Sequence, residues 1–221
     1  MKALVFKELR EIAGIAAIAL VCYVALVANL MGAKVFSFAP GIPDGTEEIP
    51  FAGSDFSNLY SLVTYALAAV IAFRQSAVES SRGTFLFLLH RPLSRDAIVL
   101  TKLAAGLGVL VASSCLPIVV YGWWAAIPGH HASPFEWSMT LPAWGVALCV
   151  APWIYFGAFL SGIRPARWFG TRLLPLLAIP ALMVLVGQYT LNAVFAVVGL
   201  SVGYIVFARN ICYVARARDY A

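Results

Sequence analysis

The placement of charge along this chain limits its fold more than any other feature. No charged residue falls between Glu11 and Lys34, Asp55 and Arg74, Lys102 and Glu136, Glu136 and Arg164, or Arg172 and Arg209. A helix needs about 20 mainly apolar residues to cross the hydrocarbon core of a bilayer, and each interval meets that test. Of the 221 residues, 62% are hydrophobic and 11% charged, against roughly 45–50% and 25% in soluble domains. A soluble globule of this length has too little interior to hide so much apolar surface, so the excess faces lipid. The spans use nearly all of the chain and leave no room for a folded domain outside the membrane.

The interval from Arg172 to Arg209 holds 36 uncharged residues, long for one helix and tight for two. Counting Lys and Arg by side decides between them, because cytoplasmic loops carry the excess of these residues. With a hairpin of two spans, fourteen of the fifteen Lys and Arg residues are cytoplasmic and Lys34 alone is outside. With one span, Arg209, Arg216 and Arg218 land outside. The expected fold is therefore an all-α membrane protein, one transmembrane domain over 1–221 with both ends in the cytoplasm of a cell (inner) membrane. Its six spans fall at about 12–32, 56–73, 99–126, 140–162, 173–189 and 192–213. Gln188, Tyr189, Thr190 and Asn192 form the outer tip of the last hairpin, and Arg209 snorkels to the inner interface. The outer loops, about 33–55 and 127–139, collect acids and turn-formers: Asp44, Glu47, Glu48 and Asp55 in the first, Pro128, Gly129, Pro134 and Glu136 in the second. Tyr121, Trp123 and Trp124 mark the outer interface and Trp168 the inner one. Trp153 sits deeper, and either packs tightly or lines a cavity.

Lys2, Lys7 and Arg10 before an apolar run are compatible with a signal peptide, but Ile12 to Gly32 has full spanning length. Residues 2–11 read instead as an amphipathic interface helix. Val5, Leu9, Ile12 and Ala13 take one face, with Phe6 at its margin; Lys7, Glu8, Arg10 and Glu11 take the other.

Several chemistries are absent. No lysine follows a Gly-rich turn in the order that cradles phosphates. No expected span carries a charge at mid-membrane depth, as ion-coupled carriers usually require. The net charge of +5 is scattered between apolar runs and forms no stripe for nucleic acid. Cys22, Cys115, Cys149 and Cys212 lie in apolar runs and read as small hydrophobes in packed helices. A metal site at His130, His131 and Glu136 is conceivable, but adjacent loop residues rarely face one ion. Ser113 and Ser114 lack an identifiable base partner, so no catalytic residue is expected.

The longest cytoplasmic loop, about 74–98, is not simply polar. Thr84, Phe85, Leu86, Phe87, Leu88 and Leu89 form an apolar cluster framed by Arg82, Arg91 and Arg95. The pattern fits a helix on the membrane surface or one docked in a partner's groove. Pro92 stops that helix, Ser94 caps the next, and Asp96 in its first turn suits the helix dipole. The next span then runs on through Lys102.

Glu79, Gly83-Thr84, Leu88-Leu89, Pro92, Ser94-Arg95 and Lys102 resemble the loop between spans two and three of the ABC type-2 permeases, the six-span membrane subunits of ABC-type exporters. That family's pattern is an acid, G-T, a hydrophobic pair, P-x-S-R and a lysine opening the third span. The segment with Lys7, Glu8, Leu9 and Arg10 is similar to its interface helix. His90 and Arg91 depart from the small or polar residues that many members place before the proline.

The resemblance implies a coupling helix, with Glu79, Arg82, Gly83, Thr84, Phe87, Leu88, Arg91, Pro92, Ser94 and Arg95 contacting a separate ABC ATPase subunit. It further implies a permease that pairs with a second copy of itself and binds no cofactor; ATP and Mg belong to the ATPase. The remaining alternatives are a membrane scaffold that recruits a cytoplasmic partner and transports nothing, and an intramembrane enzyme.

Overall fold

A computed structural model describes residues 2–33, 35, 49–51, 54–78, 94–130, 134–164, 171–179 and 193–217. The regular elements among these residues are all helical, without a strand. Helix α1 (Lys2–Ala28) ends in a π-helical turn, Asn29–Ala33. Helix α2 (Ser54–Phe73) ends in another, Arg74–Val78. Helix α3 spans Arg95–Ala125. A 3-10 turn, Trp137–Thr140, leads into the short α4 (Leu141–Gly145), a π-helical turn (Val146–Val150) and α5 (Ala151–Ile163). A helical segment covers 174–179, and α6 runs over Ala193–Ala217.

Four continuous helical stretches, Lys2–Ala33, Phe56–Val78, Arg95–Ala125 and Trp137–Ile163, are long and apolar enough to cross a membrane. They coincide with the first four expected spans. Helix α6 occupies the place expected for the last, whereas the fifth, about 173–189, lies mostly outside the described residues. So do the tip of its hairpin, most of the first outer loop, His131 and Trp168.

One expectation is corrected at the N-terminus. Residues 2–11 do not form a helix separate from the first span, because α1 runs unbroken from Lys2. Its buried stripe shares only Ile12 with the apolar face read from the pattern. Leu4, Glu8, Ile12, Ala16, Ala19, Tyr23 and Leu26 are buried, while Phe6 and Leu9 are exposed. Spacings of three and four residues place the buried set on one stripe. Lipid is as apolar as any helix face, so an apolar face need not point inward and a paired charge can.

The chain divides into two compact units. One comprises Gly14–Leu67 and Val109–Ala151. Aromatic rings fill it: Phe51 stacks edge-on against Phe56, and Phe56 lies parallel to Tyr60 at 5.1 Å. Several polar atoms among them are paired across helices. The Tyr23 and Thr64 hydroxyls share a 2.8 Å hydrogen bond, and Tyr60 donates to the Ser114 carbonyl at 3.0 Å. That carbonyl lies beside the backbone that Pro117 disturbs, for a proline inside a helix cannot donate to the residue four before it. The other unit comprises Met1–Ala13, Ala68–Gly108 and Pro152–Ala221. It contains the site described next.

Candidate functional site

Four polar side chains from four helical segments meet in the unit that holds both ends of the chain. Lys102 Nζ donates to Glu8 Oε1 at 2.7 Å. Gln75 Nε2 donates to Glu8 Oε2 at 3.2 Å and to the Lys102 carbonyl at 3.1 Å. The Tyr155 hydroxyl donates to Gln75 Oε1 at 2.7 Å. Glu8, Lys102 and Tyr155 are fully buried and Gln75 nearly so.

Local structure explains how each side chain arrives there. Glu8 lies on the buried stripe of α1, one turn from Leu4 and one from Ile12. Helix α3 begins at Arg95, so Lys102 sits two turns inside it and not at its opening. Ser94 caps that helix: its hydroxyl accepts from the Ala97 amide at 3.3 Å, as its place before the span predicted. Gln75 projects from the π-helical turn that closes α2, where Gln75, Ser76 and Ala77 are buried in succession. Three consecutive buried residues do not fit a 3.6-residue period; the wider turn accommodates them. Tyr155 belongs to the first turns of α5. At Gly106 any Cβ would collide with Gln75 Oε1 and the Tyr155 hydroxyl, so the close approach of these two groups to α3 requires glycine there.

The cluster is electrically balanced. Lys102 neutralises Glu8, both carboxylate oxygens accept hydrogen bonds, and the Gln75 amide uses both of its ends. A charge buried in apolar surroundings is tolerable only when paired and hydrogen-bonded in this way. The arrangement offers no open nucleophile. What it does is hold helices together: Gln75 at the close of α2 and Lys102 two turns into α3 are both tied to Glu8 of α1.

A second polar contact joins the start of α3 to the last turn of α6. Arg216 of α6 takes both carboxylate oxygens of Asp96, with Nε at 2.7 Å from Oδ1. Arg95 donates to the Arg216 carbonyl at 3.1 Å. Arg172 caps the end of α5, donating to the carbonyls of Ser161 at 3.0 Å and Gly162 at 2.8 Å. Trp153 packs its ring against Gly203, Tyr204 and Phe207 of α6, the tighter of the two readings its position allowed.

Of the residues singled out for ATPase contact, Ser94 and Arg95 are described; Glu79, Arg82, Gly83, Thr84, Phe87, Leu88, Arg91 and Pro92 lie outside the described residues. Within the N-terminal segment Lys7 pairs with Glu11 at 3.4 Å and Arg10 is exposed, but Glu8 is moved from the polar face to the interior. Gln75, Tyr155 and the Asp96–Arg216 pair had no separate signal in the sequence: their partners lie 80 and 120 residues away. Among the described residues no group of His, Cys, Asp and Glu is placed to hold a metal ion; His130 instead stacks on Trp124 and bonds its carbonyl at 2.9 Å. No family model matches the chain, and no curated protein or solved structure is similar to it.

Proposed function

We propose that this chain is the membrane-spanning permease subunit of an ATP-driven exporter of the ABC type-2 class. In that reading it has six spans, both ends are cytoplasmic, and the loop of 79–93 rests on a separate ATPase subunit. The partner is read from the motif of residues 79–102, and the coupling is supported by the buried knot of Glu8, Gln75, Lys102 and Tyr155. The knot ties the close of α2 and the second turn of α3 to α1 and α5, so a push on the segment between α2 and α3 would move helices together. The apolar run Phe85–Leu89 framed by arginines suits docking, and the motif of Gly83-Thr84, Pro92, Ser94-Arg95 and Lys102 resembles the family's coupling loop.

The chain performs no bond chemistry in this account. Two copies pair about a twofold axis, two ATPase subunits lie beneath them, and ATP binding draws the ATPases together. That movement biases the permease between two packings, one open to each side.

The test is purification of the tagged full chain from its native membrane. An ATPase subunit with a phosphate-binding loop should accompany it in equal amount, and the complex should hydrolyse ATP. Arg91→Glu should weaken that association without affecting membrane insertion. It is a cleaner probe than Arg95→Glu, because Arg95 also bonds the Arg216 carbonyl. Recovery of the chain without any ATPase, or unchanged association and hydrolysis after Arg91→Glu, would overturn the coupling assignment.

A further inference from the structure

The start of α3 and the last turns of α6 enclose a groove that the reading above does not use. Asp96 and Leu100 line it from α3; Arg209, Asn210, Tyr213 and Arg216 line it from α6. Its volume is about 480 Å³. Asp96 neutralises Arg216 through both carboxylate oxygens. Among the described residues that line the groove, Arg209 and Arg216 are the two guanidiniums and Asp96 the one carboxylate, which leaves one positive charge over.

The position of that charge matters. Arg209 precedes Arg216 by seven residues, which places it about 10 Å further along the helix at 1.5 Å per residue. Arg209, Tyr213 and Arg216 share one helix face, and Tyr213 is 70% exposed. A guanidinium about one turn inside the expected span must reach an anion or water. Tyrosine belongs at headgroup depth, and a guanidinium matches two phosphate oxygens at once.

We propose that this groove binds the phosphate of an anionic membrane lipid, with Arg209 as its principal ligand and Asn210 and Tyr213 as flanking donors. The site requires α3 and α6 to lie in a bilayer but requires no docked ATPase, so it can fail without the transport reading failing.

The test uses the full chain, purified in mild detergent, stripped of lipid and titrated with phosphatidylglycerol or phosphatidylcholine while bound lipid is counted by native mass spectrometry. Phosphatidylglycerol should bind at least about tenfold more tightly. Arg209→Gln should abolish the preference, Arg209→Lys should keep most of it, and millimolar inorganic phosphate should not compete. Equal binding of the two lipids by the unaltered chain, or a preference that survives Arg209→Gln, would overturn the proposal. Competition by inorganic phosphate would replace the lipid with a soluble anion. Loss of the unaltered chain from carbonate-washed membranes would overturn the membrane reading, and the site with it.

Discussion

Glu8 and Lys102 carry opposite charges 94 residues apart in sequence and 2.7 Å apart in space. Removing one partner leaves the other buried and uncompensated, which costs about 3–5 kcal/mol. Glu8→Gln and Lys102→Met should therefore each lower the unfolding midpoint of the detergent-solubilised chain sharply. Glu8→Leu combined with Lys102→Met should recover most of the loss, since a buried pair replaced by packed apolar groups is often neutral. Gln75 would still donate to the Lys102 carbonyl in that variant. Equal losses in the single and double variants would show that the pair is not coupled. At this scale the sequence is only partly legible. The cap at Ser94 follows from a local rule and is found where expected. Glu8 does not, because its neighbours Lys7, Arg10 and Glu11 make a polar face on paper. Its actual environment is set by a lysine on another helix.

The elements were far easier to anticipate. Four of the expected spans correspond to helical stretches that are long and apolar enough for a bilayer, because spanning length is a property of one segment alone. The π-helical turn at Arg74–Val78 left no such mark, yet it directs Gln75 inward. Packing between helices follows the same division. Gly106 and Gly108 look alike in sequence, but a Cβ at Gly106 meets Gln75 and Tyr155, whereas one at Gly108 meets nothing within 4 Å. Gly106→Ala should cost about 1–3 kcal/mol of stability, the usual penalty for overpacking, and Gly108→Ala should be tolerated. Thermal unfolding of both variants in the same detergent checks the contrast; equal behaviour would contradict the close approach at Gly106.

For the whole molecule, the proposed sidedness rests on the Lys and Arg count, which a six-span reading divides fourteen to one, and the proposed partner rests on the sequence of 79–93. Nothing in the buried knot names an ATPase; it accounts for how a force on the loop would reach α1 and α5. The most direct measurement is labelling of Phe87→Cys with a membrane-impermeant maleimide. The account predicts no reaction in intact cells, reaction in inverted vesicles stripped of ATPase, and protection once the ATPase is bound again. Reaction from the outer face of intact cells would contradict both the orientation of the chain and its role as the moving partner of an ATPase.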